Sequence, residues 1–283
     1  MSGTPSLRSG SITAEEIHVF IAFTDAYTGD ARLEACRQLL QPHELARASL
    51  FHFERDRVRH IVTRWLARSV LARYVGVAAE ALRFEQNVYG RPKLDSEAHP
   101  ETSIRFNISH TDGVVVLAVT SGAEVGIDVE NVIARPAALD VAERFFAPDE
   151  AARLRSVPMP ARSRAFFEYW TLKESYIKAR GKGLSLDLGK FAFHFPNDRS
   201  IALHVHPDLD DAGERWRFWQ FEAPPEYLFA LCAECTGTLP QRLTFTRVIP
   251  QQAHQELLPC LIRLPVEGAV EDHQRERVGI CLR

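Results

Sequence analysis

Ser121-Gly122-Ala123-Glu124-Val125-Gly126-Ile127-Asp128-Val129-Glu130 divides this chain of 283 residues into two halves that read alike. Its two glycines permit a sharp change of direction, and the residues from Gly126 to Glu130 read as a strand that opens the second half. Toward the N-terminus lie strand-like runs at Val114–Thr120, Ile104–Ser109 and Leu82–Asn87. Before them comes a long helix over Asp56–Val75, with Val58, Ile61, Val62, Trp65, Leu66 and Val70 as its apolar stripe. A helical stretch over Ala31–Leu40 and a first strand at His18–Phe23 precede that helix. Beyond Glu130 the order repeats, with helices over Leu139–Phe146 and Ala161–Ala179. Strands follow at Phe191–Phe195, Ile201–His206, Trp216–Phe221, from Tyr227 and at Leu243–Val248.

The short spacings between strands favour antiparallel pairing. The fold expected is α+β: two similar lobes, each an antiparallel sheet with packed helices, related by a pseudo-twofold and leaving a cleft between them. The lobes are read as residues 1–122 and 123–250. Residues 251–283 read as a peripheral extension in which no catalysis is placed, although the apolar stretch Leu257–Val266 could pack back onto a lobe.

A formal charge of −3 gives no reason to expect bulk attraction to nucleic acid or to an anionic membrane. The first eleven residues lack the apolar stretch of a secretory signal, and no window is long and apolar enough to cross a bilayer, so a cytoplasmic location is expected. Of the five cysteines, Cys232 and Cys235 form a C-x-x-C inside a strand-like run rather than at a redox turn, and all five read as structural or incidental.

In a strand Asp128 and Glu130 share one face; in a helix Glu174 and Lys178, within Trp170-Thr171-Leu172-Lys173-Glu174-Ser175-Tyr176-Ile177-Lys178, lie one turn apart on one stripe. Three carboxylates brought together repel one another unless a cation neutralises them. A hard ion such as Mg2+ takes carboxylate oxygens together with substrate phosphates, which Lys178 would face from the opposite side. The plainer alternatives are an Asp128 satisfied by backbone N–H groups and an exposed Glu174–Lys178 ion pair.

An ordered series of motifs carries a resemblance over residues 42–195. They are Tyr89-Gly90-Arg91-Pro92, Phe106-Asn107-Ile108-Ser109-His110-Thr111, Gly126 to Glu130, Arg144-Phe145-Phe146, and Trp170 to Lys178 followed by Ala179 to Ser185. With these the chain resembles the surfactin-synthetase-activating type of 4′-phosphopantetheinyl transferase. The resemblance implies two α+β lobes with coenzyme A and Mg2+ between them. It also implies transfer of phosphopantetheine to a serine of an apo carrier protein, with release of adenosine 3′,5′-bisphosphate.

The resemblance further implies that Asp128, Glu130 and Glu174 bind the metal, Glu130 directly or through water. Glu174 would take the proton of the carrier serine, and Lys178 would stabilise phosphate charge. Arg47, Arg59, Arg91, Lys93, Ser109, His110 and Lys178 would bind coenzyme A, with arginine standing at 91 and His60 at a nucleotide-side position as departures from the family pattern. Lys173 and Lys182 serve the cleft or solvate helix ends, and Arg68 braces its helix. Phe166, Phe167, Tyr169 and Trp170 are core, whereas Phe145, Phe146 and the segment from Pro148 border the carrier surface or fill the core. Two complementary lobes in one chain suggest a monomer. The competing readings are a noncatalytic coenzyme A or nucleotide sensor and a structural adaptor; the full set Asp128, Glu130, Glu174 and Lys178 favours chemistry.

Overall fold

The run from Val114 to Val119 is apolar at every position because the strand it forms is covered on both faces in the computed structural model. Residues 10–27, 29–134, 136–223, 226–235, 242–252, 255–257 and 259–265 are described. The first half contains β1 (Glu16–Phe23), α1 (Asp30–Arg37), α2 (Pro42–Ser49), α3 (Glu54–Val75), β2 (Phe84–Gln86), β3 (Pro92–Leu94), β4 (Ile104–Thr111) and β5 (Val114–Ser121). The second repeats the order with β6 (Val125–Asn131), α4 (Leu139–Phe145), α5 (Pro148–Ser156), α6 (Met159–Arg180), β7 (Phe191–His194), β8 (Ser200–Val205), β9 (Trp216–Ala223) and β10 (Tyr227–Glu234). β11 (Arg242–Arg247), β12 (Gln255–Glu256) and β13 (Cys260–Pro265) follow.

The strands make a five-stranded sheet ordered β12-β11-β1-β5-β4, a six-stranded sheet ordered β6-β10-β9-β13-β8-β7, and a small β2–β3 hairpin. Alternation along the strands builds three cores. Val115, Leu117 and Val119 of β5 face α3, while Val114, Val116 and Ala118 face the other sheet. In β10, Leu228, Ala230 and Cys232 face α6, while Phe229, Leu231 and Ala233 enter the same inter-sheet core. The result is four layers, helix–sheet–sheet–helix. The lobes therefore share an apolar core, and a crease runs where edge strand β4 meets edge strand β6.

Two pairings depart from an all-antiparallel plan: β11 runs parallel to β1, and β13 parallel to β8. Chain order had placed the strand near Leu243 with the second half, but its hydrogen bonds lie in the first sheet. β13 sits inside the second sheet, between β9 and β8, and Arg263 reaches Glu168 of α6 at 3.0 Å and the Gln220 side chain of β9 at 2.6 Å. The described part of the extension is thus built into both sheets rather than peripheral. The N-terminal leader up to residue 9, the charged run Glu271–Arg277 and Cys281 lie outside the described residues. Burial raises the Cys232 thiol well above its ordinary value and Cys235 to about 11, consistent with a structural role in a strand. Among the described residues no helix is long and apolar enough to cross a membrane.

Candidate active site in the crease between the sheets

β6 sends Val125, Ile127 and Val129 into the inter-sheet core, which turns Gly126, Asp128 and Glu130 toward α6. Gly126 is required by space rather than by backbone conformation. A Cβ there would lie 2.0 Å from the carbonyl oxygen of Ser175 and 2.5 Å from the amide nitrogen of Ala179. With no side chain in the way, α6 rests directly on β6, and Glu174 and Lys178 come to stand over the two strand acids. α6 then ends at Gly181, whose φ of 63° is the left-handed conformation glycine adopts without strain.

β4 supplies the other wall. The Asn107 side-chain oxygen accepts from the amide of Ile127 at 2.8 Å, tying the two edge strands together. One step along, the Ser109 hydroxyl donates to Asp128 Oδ1 at 3.0 Å, and Thr111 donates to Glu130 Oε2 at 3.3 Å. Lys178 Nζ completes the cluster, 2.5 Å from Asp128 Oδ1 and 2.8 Å from Ser109 Oγ. Lys178 therefore pairs with Asp128 of the facing strand rather than with Glu174 along its own helix.

Asp128 and Glu130 are each only 5% exposed, and Asp128 Oδ2 is buried without a hydrogen-bond partner. An unmatched carboxylate oxygen in a dry site is costly unless something positive meets it. Glu174 registers the same excess of negative charge: burial first, then the neighbouring Asp128 and Glu130 against the opposing Lys178, push its pKa up to about 7. Among the described residues no three His, Cys, Asp or Glu side chains already stand as a metal cage. The set nevertheless fits a hard divalent cation in donor type and charge, because every donor is a carboxylate oxygen and one of them is unmatched.

The basic side of the crease is His110, next to Ser109 and open to solvent along one face. Lost hydration, then the charges of Arg59 and Lys178, lower its pKa from the ordinary histidine value, placing three basic groups within electrostatic reach of one another. Arg59 is held by Asp56 at 2.6 Å. Arg47 is exposed on α2. His60 bonds the Glu44 carbonyl at 3.2 Å and lies against Phe51, both structural contacts.

Other expected ligand residues stand apart from this cluster. Arg91 spends its guanidinium on the carbonyls of Ala179 at 2.8 Å and Val125 at 3.0 Å and on Glu124 at 2.7 Å, so it staples the β2–β3 hairpin to the seam. Lys93 pairs with Glu85 at 3.0 Å on the exposed hairpin. A cavity of about 600 Å³ opens beside Arg91, but its cations are matched by acids: Arg105 with Glu124, Arg180 with Asp211, and Arg215 with Glu234. The cluster of Asp128, Glu130 and Lys178 with Ser109 and Thr111 lies toward the other end of β4 and β6.

Lys173 neither lines the crease nor solvates a helix end. It is fully buried, 2.7 Å from Glu150. Arg68 does brace its helix, bonding Glu44 at 2.7 Å and the carbonyls of Ala79 and Leu82. Phe146, Phe166 and Trp170 stack in the second core, while Phe145 is 54% exposed. The sequence reading missed Asn107 and Thr111 as wall-builders, although β4's alternation from Ser109 points to both; it also missed Gly126 as the seat of the helix. Glu150 was missed too: its segment was expected at the carrier surface or in the core, and its signal was an acid at the third position of a helix begun by Pro148.

Comparison with known proteins agrees with this geometry. Residues 124–232 match the family model described as the 4'-phosphopantetheinyl transferase superfamily, and residues 29–122 match that of 4'-phosphopantetheinyl transferase, N-terminal. The chain is 33% identical over 175 residues to the 4'-phosphopantetheinyl transferase HetI of Nostoc sp., covering 62% of this chain and 73% of that one. It is 34% identical over 183 residues to a 4'-phosphopantetheinyl transferase of Bacillus subtilis, covering 65% and 77%. With the transferase Sfp of Bacillus subtilis strain 168 it shares 30% identity over 202 residues, 71% of this chain and 84% of that one. Matches across both halves, meeting at the strand that carries Asp128, place the chain in the 4'-phosphopantetheinyl transferase superfamily.

Proposed function

We propose that this protein transfers 4′-phosphopantetheine from coenzyme A to a serine of an apo carrier protein in a Mg2+-dependent reaction, releasing adenosine 3′,5′-bisphosphate. The observation that carries the proposal is the crease itself, where Asp128, Glu130, Glu174 and Lys178 meet Ser109 and His110 in a chain of this superfamily. Surfactin-synthetase-type carriers are one candidate class among acyl, peptidyl and aryl carriers, and a single chain contains both walls of the site, so a monomer suffices.

Asp128 through its unmatched oxygen, Glu174, and Glu130 directly or through water would hold the cation. When bound, it neutralises the clustered carboxylates and the pyrophosphate charge. His110 and Arg59 bind phosphate oxygens, and phosphate beside His110 favours its protonated, donating form. Glu174 accepts the proton of the carrier serine as the serine oxygen bonds to phosphorus and the phosphorus–oxygen bond to the nucleotide breaks. Glu174 would be ionised, and so able to accept that proton, when the cation offsets the neighbouring Asp128 and Glu130. Lys178, held at Asp128 and Ser109, is placed to donate to the departing bisphosphate.

Intact-mass spectrometry of a panel of apo carriers, incubated with the protein, coenzyme A and Mg2+, is expected to show gain of one phosphopantetheine group. Replacing the acceptor serine with alanine should abolish it. No gain on any active carrier would refute the transferase reading and leave a coenzyme A sensor.

Of the basic residues expected at coenzyme A, we assign Arg59 and His110 to the 3′-phosphate and leave Arg91 out. Calorimetry with coenzyme A and dephospho-coenzyme A isolates the 3′-phosphate contribution. Arg59→Ala and His110→Ala should shrink the difference by roughly 1.5 to 3 kcal/mol, the size of a hydrogen bond to a charged group. Arg91→Ala should leave the difference intact and lower the melting temperature, because its donors are used at the seam. A reversed pattern would put the 3′-phosphate at the hairpin.

A further inference from the structure

Lys173, the residue before Glu174, is 0% exposed, yet its ammonium is fully engaged. Its Nζ lies 2.7 Å from Glu150 of α5, donates at 2.9 Å to the carbonyl of Leu188 and at 2.8 Å to that of Phe191 in β7, and sits between the rings of Phe146 and Phe191. Glu150 is equally engaged, accepting from the amides of Ala147 at 3.1 Å and Phe193 at 2.8 Å. Separate pieces of the second lobe thus hold one point on α6. On its other side the same stretch of helix is pressed onto β6 at Gly126.

These two constraints differ in kind. Contact at Gly126 sets the distance between α6 and the strand bearing Asp128, but a helix lying on a flat strand can still roll. Lys173 holds the helix on the side away from that contact, adding a polar anchor to the apolar packing of its buried face. Consecutive helical residues are about 100° apart, so fixing Lys173 against α5 and β7 fixes the direction in which Glu174 leaves the helix. Reacting groups lose efficiency when displaced by even about 1 Å, which a modest roll would produce at the end of a glutamate side chain.

The first half contains the same brace without the acid. Glu44, at the third position of α2 behind Pro42, pairs with the buried Arg68 at 2.7 Å. Arg68 and Lys173 lie equally far along α3 and α6, two helices of 22 residues each that end at left-handed glycines. After Arg68 comes Ser69, however, where the second half has Glu174. The brace therefore belongs to the repeated fold, and the second half has placed its reactive carboxylate one residue beyond it.

We propose that Lys173 and Glu150 are positioning residues for the transfer reaction, fixing the rotation of α6 so that the Glu174 carboxylate meets Asp128 and the acceptor hydroxyl. The proposal rests on the reading of Glu174 as the reacting base. Its test is the near-isosteric neutral pair Glu150→Gln with Lys173→Met in the full chain, assayed with coenzyme A, Mg2+ and an apo carrier. The folded variant is expected to lose kcat on the order of 10- to 100-fold. The 3′-phosphate share of binding, read as the difference in calorimetric affinity between coenzyme A and dephospho-coenzyme A, should stay within about twofold, since Arg59 and His110 lie off α6.

The matching pair in the first lobe, Glu44→Gln with Arg68→Met, is the control and should keep its kcat. Parental kcat in the folded second-lobe variant, an equal fall in both pairs, or a lost 3′-phosphate difference would each overturn the proposal, the last by showing damage that reaches beyond α6. Should the double variant not fold, Glu150→Asp shortens the brace while keeping both charges, and an unchanged kcat there overturns it equally. Glu174→Gln, run in parallel, tells the two failures apart: parental transfer by that variant sinks the base assignment, and the brace then has nothing to position.

Discussion

Glu174→Gln is expected to lower kcat by on the order of 10²- to 10⁴-fold, the usual contribution of a positioned general base, in a molecule that stays folded. Relative to the parent it should also gain stability as pH rises, which a damaged fold would not. Glu174 has a folded pKa raised from the model-peptide range to about 7 by burial and by Asp128 and Glu130. Between roughly pH 4.5 and 7 the native state therefore holds a proton that the unfolded chain has released, so this residue lowers native stability as pH climbs through that window. Glutamine carries no such charge. In chelator, the melting temperature of Glu174→Gln relative to the parent should rise from pH 5 to pH 8, by on the order of 1 to 3 kcal/mol in stability. Near-parental kcat, or a stability difference that ignores pH, would show that Glu174 is a surface acid outside the site.

Gly126→Ala is expected to be among the most damaging single-methyl changes in the chain. The added carbon would meet Ser175 and Ala179 through backbone atoms, which cannot swing aside as a side chain would. Either β6 bends or α6 lifts, at a cost of about 3 kcal/mol or more, the upper end of overpacking in a dense core. Both outcomes separate Asp128 from Glu174, so transfer should fall even at temperatures where the variant remains folded. Urea unfolding and rates measured well below the melting temperature check the two effects independently. Parental values in both would mean that α6 is not seated on β6.

Much of this was legible in the residues, for reasons specific to each piece. α3 announced itself by an apolar stripe long enough to override local ambiguity, and β4, β5 and β10 by runs apolar on one or both faces. Strand and helix periodicities put Asp128 with Glu130 and Glu174 with Lys178 on shared faces, while the family resemblance is what joined the two pairs in one expected site. α2 and α5 went unread because each is too short to show a stripe; their signal was the proline at the first position with an acid two residues on. The partners of cations were beyond reach. Nothing local distinguishes Lys178, bound to Asp128 fifty residues away, from Lys173, bound to a different acid on the opposite side of the same helix. Arg91 was assigned to phosphate by its place in a motif, yet its geometry is that of a staple, because the backbone carbonyls it serves come from two distant elements.

The placement of β11 and β13 has a further consequence. The backbone runs through the first sheet, into the second, back to the first at β11 and again to the second at β13. The halves are laced rather than joined by a single hinge, and cutting the chain after Ser121 would leave the first sheet without β11 and β12. A fragment carrying either half alone should expose the apolar faces that now meet between the sheets, so subdividing this protein for expression invites aggregation. Lacing also restrains the lobes from swinging apart. On the proposed function, a bulky carrier would then be met at the rim of the crease.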